Sequence, residues 1–151
     1  MSGMSYISSW FHCTFSTKER RPLITPSLGQ RLRPFLGGIA RKNRIKALEI
    51  GGMAGHVHLL LSLPATLSIA QAMQLLKGAS SRWVHETFPE HRWFRWQEEY
   101  GAFSVSVSLL DKTAAYIGGQ ERHHRRRTFQ EEFLTLLKKH RVDYDERYLW
   151  G

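Results

Sequence analysis

Two histidines that are separated by one residue, His56 and His58, are the first candidates for chemistry in this sequence. They lie in the stretch 51–64, GGMAGHVHLLLSLP, and side chains two apart on a β-strand point to the same face. Two imidazoles on one face of a rigid strand are pre-positioned metal ligands. They could equally be two histidines at the edge of the core. The opposite, core-facing side of the strand would be formed by Val57, Leu59, Leu61 and Leu63.

A metal site needs more than two ligands, and a later segment supplies two candidates, Tyr116 and Gln120. Residues four apart lie on the same face of a helix, one turn from each other. The Gln120 carbonyl oxygen could coordinate a hard cation, and the Tyr116 phenol could attack a phosphate held on that cation. An ordinary amphipathic helix would show the same spacing. Because His56, His58 and Gln120 carry no formal charge, we expect them to bind a divalent ion weakly unless a DNA phosphate adds anionic oxygens.

The charge balance predicts an anionic partner. The chain has 22 Lys and Arg residues against 13 Asp and Glu residues, a net charge of +9 and a pI of about 10.1. Domains this basic typically bind a polyanion such as nucleic acid, although a basic protein without such a partner is the alternative. We predict contacts with DNA phosphates from Lys77, Arg82, Arg125, Arg126 and Arg127. A solvated helix face or loop is the alternative for each of them.

Length and composition predict one cytoplasmic domain. The 151 residues fit a single domain, 1–151, with a core over about 6–127 and a C-terminal helix and tail over 128–151. The sequence has no run of 18 apolar residues, so we expect no membrane span, and its N-terminus does not have the pattern of a signal peptide. The one cysteine, Cys13, cannot form an internal disulfide, as expected for a reducing compartment.

The hydrophobic pattern predicts which elements position these residues. Strands are expected at 6–15, 45–50, 56–63 and 100–107, and helices from Pro26, over 69–86, over 109–123 and from Thr128. The expected helix caps are Thr25, Ser68 with Gln71, Ser108 with Asp111, and Thr128 with Glu131. Gly51 and Gly52 are interpreted as a turn or bulge. We therefore predict an α+β, ferredoxin-like (βαββαβ) fold, an antiparallel sheet with helices on one face, plus C-terminal helices that carry the tyrosine and a short tail. The other sheet face, with His56 and His58, would be open for a partner or a site.

Four segments, in this order, make the sequence similar to a known family. They are GGMAGHVHLLLSLP, LLKGASSRW, WQEEYGAFSVS and AAYIGGQERHH, and the C-terminal FQEEFLTLLKKH and YDERYLW are also similar. The chain resembles the single-tyrosine HUH transposases of the insertion sequence 200/605 group, in particular the REP-associated tyrosine transposases. The resemblance extends over almost the whole chain.

The resemblance implies a site, a reaction and a partner. His56 and His58 correspond to the metal ligands of the HUH motif, Gln120 to the third ligand and Tyr116 to the nucleophile, with Mg²⁺ or Mn²⁺ as the cofactor. The family cleaves single-stranded DNA at hairpin-marked ends through a 5′-phosphotyrosine link. The 3′-OH that this releases later attacks another such link and rejoins the strands without ATP. The resemblance also implies a homodimer. In the dimeric members of the family, the tyrosine helix of one subunit can serve the histidines of the other.

Gly55 departs from the family pattern, in which an Asp often precedes the first histidine.

Three other functions are compatible with the sequence. A replication or relaxase-type nickase would share the chemistry but usually carries further domains. A non-catalytic module for single-stranded nucleic acid would present aromatic side chains at the centre of an open sheet face. A structural zinc domain would need cysteines and closely spaced ligands. His12 is expected to be structural or solvated, and Tyr144 and Tyr148 are discounted as nucleophiles because no ligand lies one helical turn away.

Overall fold

The computed structural model describes residues 6–120 and 127–150 of the chain. Its regular elements follow the predicted order. The strands are β1 (Trp10–Ser16), β2 (Lys46–Met53), β3 (His56–Ser62) and β4 (Gly101–Val105), and the helices are α1 (Pro26–Lys42), α2 (Ile69–Thr87), α3 (Leu110–Gly118) and α4 (Phe129–Lys139). Single 3-10 turns occur at Lys18–Arg20, Pro89–His91 and Val107–Leu109.

The four strands form one antiparallel sheet in the order β2-β3-β1-β4. The two central strands, β1 and β3, are the two that a βαββαβ chain brings together when α1 and α2 cross the same face of the sheet. This topology confirms the predicted α+β, ferredoxin-like architecture. Because β3 is central, the two histidines at its start are held by pairing on both sides, with β1 and with β2.

One face of the sheet carries the main apolar core, packed under α1 and α2. Both helices start where the sequence predicts: Thr25 caps α1 with Pro26 at its first position, and Ser68 and Gln71 form a capping box at α2. The core face of β1 and β3 and the facing helix residues are fully buried, and they include Cys13, Phe15, Val57, Leu59, Leu61, Leu32, Leu36, Met73 and Leu76. Alternation then directs His56 and His58 to the opposite face, as predicted.

The opposite face is covered by α3 and α4, which corrects the prediction of an open face. α3 packs over β2 and β3. On α4, Phe129 stacks on the His56 ring at 4.4 Å between centroids, and Phe133 meets Phe103 of β4 at 6.2 Å. The apolar stripe of α4 has to be buried, and Phe103 on this face gives it an apolar surface to cover. As a result His56 is 3% exposed and His58 is 0% exposed.

The first and last turns of α3 differ from the prediction of a helix over 109–123 capped by Ser108 and Asp111. The helix begins at Leu110 after a 3-10 turn, and no side-chain cap bond is made at its start. The Ser108 hydroxyl instead bonds the Ser106 hydroxyl at 3.0 Å. The helix ends at Gly118, which is followed by a second glycine, and glycine has the lowest helix propensity of any residue except proline. Positions 121–123 of the predicted helix lie outside the described residues.

Gly51 and Gly52 lie inside β2, not at a turn, and the irregularity of this strand lies earlier. Between Ala47 and Glu49 the pairing of β2 with β3 shifts by one residue, which is a β-bulge. Since residues directly opposite in an antiparallel pair share a face, the bulge places Gly51 opposite His58 on the site face. A Cβ at Gly51 would overlap the carbonyl oxygen of Ile117 in α3. The absence of a side chain at Gly51 therefore lets the tyrosine helix lie directly on the sheet.

Gly55, where relatives of the resembled family often have Asp, is also in close contact with the chain. A Cβ there would lie 2.8 Å from the carbonyl oxygen of Arg20. The Gly55 carbonyl accepts hydrogen bonds from the Thr17 backbone N–H at 2.9 Å and from the Thr17 hydroxyl at 3.2 Å. The 3-10 turn at Lys18–Arg20 thus occupies the space that a side chain at Gly55 would need.

None of the helices over 6–120 and 127–150 combines the length and the apolar character that a membrane span requires.

Substitution of Gly51 by Ala should destabilise the fold by about 1–3 kcal/mol, because the added methyl group has to push the Ile117 backbone away from β2. The matched control is Gly78→Ala in α2, where a Cβ meets nothing within 4 Å. This control should raise stability by about 0.5–1 kcal/mol, since alanine is the better helix former. Urea unfolding of both variants measures the difference. Equal stabilities of Gly51→Ala and the unchanged protein would contradict the close approach of α3.

Candidate active site

The two histidines lie side by side at the start of β3, with their Nε2 atoms directed towards α3 and α4. His56 Nε2 is 3.1 Å from the side-chain oxygen of Gln120, and His58 Nε2 is 2.8 Å from Glu132 Oε1. The two rings are 5.1 Å apart between centroids and nearly perpendicular, at 88°. This geometry leaves both Nε2 atoms facing the same small volume under the two helices.

Tyr116 and Gln120 both reach this volume, although not from one continuous helix. Tyr116 lies in α3, whereas Gln120 follows the end of that helix at Gly118. The Tyr116 hydroxyl donates a hydrogen bond to Glu132 Oε2, and the Gln120 amide donates to the same oxygen at 3.2 Å. Gln120 is 2% exposed and Tyr116 is half-buried. The structure therefore brings together the four residues that the sequence predicted as ligands and nucleophile, within one chain.

Glu132 is the central residue of this site, and sequence reasoning missed it. Its carboxylate contacts His58, Tyr116 and Gln120, it lies 3.9 Å from His56 Nε2, and the residue is only 3% exposed. A signal was present in the sequence. Glu132 stands three residues after Phe129 and four before Leu136, on the apolar stripe of α4, where a charged residue has to find buried partners.

The donor atoms fit a divalent cation. One nitrogen from His56, one from His58 and one carboxylate oxygen of Glu132 all lie within 4.8 Å of one another. An octahedral ion with bonds of about 2.1 Å separates adjacent ligand atoms by about 3 Å. The observed separations are 2.8 Å for His58–Glu132, 3.1 Å for His56–Gln120 and 3.9 Å for His56–Glu132, so the donor atoms lie at or somewhat above that spacing. Two nitrogen and two oxygen donors are a set compatible with a divalent metal.

Glu132 also changes the charge of the set. The prediction of weak metal binding assumed three neutral ligands, His56, His58 and Gln120. A carboxylate 2.8 Å from one of the imidazoles adds a negative charge, so the site attracts a cation more strongly than those three ligands would.

Burial and Glu132 together hold the Tyr116 phenol in its neutral form. Burial is the first cause of a raised Tyr116 pKa, and the hydrogen bond to the Glu132 carboxylate and the charge of that carboxylate add to it. The side chains of Gln120 and Arg127 act in the opposite direction. While the phenol donates to Glu132, Tyr116 is therefore a protonated and poor nucleophile at neutral pH.

His12 lies against the back of the site and was expected to be structural or solvated. It is 4% exposed, and its Nε2 is 2.7 Å from Nδ1 of His58. Burial, followed by the charge of His58, lowers the pKa of His12 to about 3, so this imidazole is neutral at physiological pH. Its position beside a candidate ligand could not be read from the sequence, because it depends on the pairing of β1 with β3.

The predicted DNA-contacting residues are distributed differently. The Lys77 ammonium group donates to the backbone carbonyls of Gln97, Glu98 and Glu99, so it ties the 97–99 segment to α2. Arg82 is exposed on the same helix. Arg125 and Arg126 lie outside the described residues. Their role in DNA binding stays a prediction.

Arg127, the last of the predicted cations, borders a cleft that Tyr116 also lines. The cleft has a volume of about 220 Å³, and its lining includes Tyr116, Glu132 and three cations, Lys112, Arg127 and Lys139. The Arg127 guanidinium donates to the Thr135 hydroxyl of α4, which fixes it at this edge. Sequence reasoning missed Lys112 and Lys139, although Lys112 is one helical turn before Tyr116.

Comparison with known proteins identifies the family. The sequence model of the family described as "Transposase IS200 like" matches residues 5–120. The chain is 29% identical over 115 residues to the ISDra2 transposase TnpA of Deinococcus radiodurans, covering 73% of this chain and 82% of that protein. It is 28% identical over 130 residues to the transposase for insertion sequence element IS200 of Salmonella typhimurium, covering 83% of each chain.

Solved structures agree with this assignment. A structure described as that of a transposase from Deinococcus radiodurans superposes with a TM-score of 0.63 at 27% identity, covering 78% of this chain and 95% of that one. A REP-associated tyrosine transposase, solved with a REP hairpin, shares the fold with a TM-score of 0.56 at 15% identity, covering 78% of this chain and 70% of that one. Because the family model spans most of the sequence, the chain belongs to the family of IS200-like transposases.

Proposed function

We propose that this transposase cleaves and rejoins single-stranded DNA at hairpin-marked ends, with Tyr116 as the nucleophile and a 5′-phosphotyrosine intermediate. The observation that carries the proposal is the convergence of the Tyr116 hydroxyl, two imidazoles and the Gln120 amide on one buried carboxylate. A phosphodiester is also an anion with several acceptor oxygens, so it suits the same set of donors. The hairpin substrate is supported by the related structure that was solved with a REP hairpin.

The proposed reaction is a balanced exchange of phosphodiester bonds. The Tyr116 oxygen bonds to phosphorus as the bond from phosphorus to the 3′-oxygen breaks, the phenol loses its proton and the 3′-oxygen gains one. The 3′-OH of a second strand reverses these changes and restores the DNA backbone. The number of phosphodiester-type bonds is constant, so no nucleotide hydrolysis is required. A bound Mg²⁺ or Mn²⁺ would polarise the phosphodiester and stabilise the charge that develops on it.

We propose His56, His58, Gln120 and Glu132 as the residues that hold this cation. The first three would hold it from β3 and from the segment that follows α3, and Glu132 would supply the anionic oxygen. Anionic oxygens of a bound DNA phosphate would compete with the Glu132 carboxylate for the same cation. The carboxylate therefore matters most to the protein before DNA is bound.

The cleft beside Tyr116 is the proposed path of the DNA backbone. Lys112, Arg127 and Lys139 place three positive charges around an opening that ends at the nucleophile. Cations at this position attract phosphates and orient one of them towards the Tyr116 oxygen.

Since the tyrosine reaches the histidines of its own chain, the site geometry does not require a second copy. The homodimer and action on DNA in the cytoplasm are part of the proposal.

A non-catalytic nucleic-acid-binding module is less well supported. It would need aromatic side chains on an open sheet face, whereas this face has three histidines at its centre, His12, His56 and His58, under α3 and α4. Trp96, an aromatic residue of the segment between α2 and β4, packs on Phe15 and Phe94 instead. The geometry therefore favours the enzyme.

Substitution of Tyr116 by Phe should abolish a covalent protein–DNA adduct. The measurement uses a labelled single-stranded hairpin oligonucleotide with Mn²⁺ and a denaturing gel, because the phosphotyrosine bond survives denaturation. The control is Tyr148→Phe, which changes a tail tyrosine that is 70% exposed and should leave the adduct unchanged. An adduct that persists in Tyr116→Phe would exclude Tyr116 as the nucleophile.

Substitution of Glu132 by Gln should weaken Mn²⁺ binding by tenfold or more, on the order of the effects known for perturbed metal sites, when no DNA is present. The loss should be smaller in the presence of a single-stranded oligonucleotide, whose phosphate oxygens replace the missing charge. Calorimetric titration of Mn²⁺ with and without the oligonucleotide measures both values. Glu131→Gln is the matched control, since Glu131 only caps α4 at an exposed position. Unchanged Mn²⁺ affinity in Glu132→Gln would rule out Glu132 as a ligand.

Substitution of Lys139 by Ala should weaken binding of single-stranded DNA and reduce its salt dependence by about one phosphate contact. The control Lys138→Ala removes the same charge from the neighbouring residue of α4, which is not part of the cleft wall. Fluorescence anisotropy at several salt concentrations separates the two variants. Identical affinities and salt slopes for Lys138→Ala and Lys139→Ala would contradict the proposed DNA path.

A further inference from the structure

His12 has a more specific position than a buried core histidine requires. Its Nε2 lies 2.7 Å from Nδ1 of His58, while the other ring nitrogen of His58, Nε2, lies 2.8 Å from Glu132 Oε1. Both nitrogens of this candidate ligand therefore have a defined partner. His12 and His58 are 4% and 0% exposed, so water does not compete for either bond.

The sheet fixes this contact. Thr14 of β1 is directly opposite His58 of β3, and His12 is two residues earlier in β1 on the same face, which makes it the diagonal neighbour of His58. The His12 ring is also enclosed by the rings of Phe103 at 6.4 Å and Tyr116 at 6.2 Å between centroids. With neighbours on β4 and α3, the imidazole of His12 has little room to turn away from His58.

We propose that His12 is the positioning residue for His58, holding this ligand in the ring orientation and tautomer that metal binding needs. The proposal rests on the metal site of the proposed function. A neutral imidazole binds a cation through the lone pair of one nitrogen, so the ring proton has to be on the other. With Nε2 of His58 as the ligand atom, Nδ1–H must donate, and the acceptor within reach is Nε2 of His12.

A histidine at position 12 suits both partners of His58. When the Glu132 carboxylate accepts a hydrogen bond from Nε2–H of His58, Nδ1 carries a lone pair and needs a donor. When a cation takes Nε2, the same Nδ1 carries the proton and needs an acceptor. Imidazole can donate or accept at Nε2, depending on its tautomer, whereas a lysine could only donate and a carboxylate only accept. His12 therefore keeps the buried Nδ1 of His58 satisfied in either case.

The test compares three variants in Mn²⁺ titrations without DNA, each checked for its thermal unfolding midpoint. His12→Met fills the space but cannot form the strong hydrogen bond, and we expect its Mn²⁺ affinity to fall by about 10- to 100-fold. His12→Gln places an amide group close to the position of the imidazole Nε2, and it should retain most of the affinity because an amide can donate or accept. His85→Met removes a histidine that bonds the Phe94 carbonyl outside the site, and it should bind Mn²⁺ like the unchanged protein.

The outcomes separate this proposal from the one on which it rests. An unchanged Mn²⁺ affinity in His12→Met, with normal binding by the unchanged protein, overturns the positioning role alone. Equal losses of affinity in His12→Gln and His12→Met also overturn it, because a filler of the core would show no rescue by the hydrogen-bonding variant. Absence of Mn²⁺ binding in the unchanged protein, with and without an oligonucleotide, overturns the metal site and the role of His12 together.

Discussion

The carboxylate of Glu132 is the charge around which this structure is built. A buried carboxylate is tolerated only where donors surround it, and here they come from β3, α3 and the segment that follows α3. Each of these contacts joins α4 to another part of the fold. The candidate site therefore assembles only when the C-terminal helix packs on the sheet. A site of this kind cannot be complete until α4 is docked.

The sheet divides the molecule into an apolar half and a polar half. Under α1 and α2 the strands contribute a continuous core of Cys13, Phe15, Val57, Leu59 and Leu61. The other face has His12, Thr14, His56 and His58 in the same strands, and these polar groups bond one another or neighbouring groups instead of water. The first face supplies most of the hydrophobic stabilisation. Because it does so, the second face can hold a polar network beneath helices.

Close approach of α3 to β2 sets the distance between Tyr116 and the two histidines of β3. The bulge after Ala47 shifts the register so that Gly51 faces His58, and the helix backbone at Ile117 lies where a side chain would otherwise be. Tyr116 precedes Ile117 in the chain, so the position of its hydroxyl depends on how closely the helix approaches β2. A larger residue at Gly51 would push α3 and its phenol away from the sheet, which would disturb the proposed attack on a phosphate. The geometry of the proposed reaction thus depends on a strand that contributes no reactive group.

The sequence by itself determined the order of elements, the α+β fold, the helix caps at Thr25, Ser68 and Thr128, and the site candidates His56, His58, Tyr116 and Gln120. These follow from local chemistry: alternation along a strand, periodicity along a helix and side chains that bond nearby backbone. Resemblance to a family then gave the candidates their roles, and comparison confirmed the family.

Only the tertiary structure decided that the second sheet face is covered, that Glu132 is at the centre of the candidate site and that His12 contacts His58. Glu132 is 74 residues from His58 and His12 is 46 residues from it, so neither contact leaves a local pattern in the chain. The bulge in β2 is similar, because register depends on which strand lies alongside. What stayed hidden in the sequence were the contacts formed by strand pairing and helix docking, which join residues far apart in the chain.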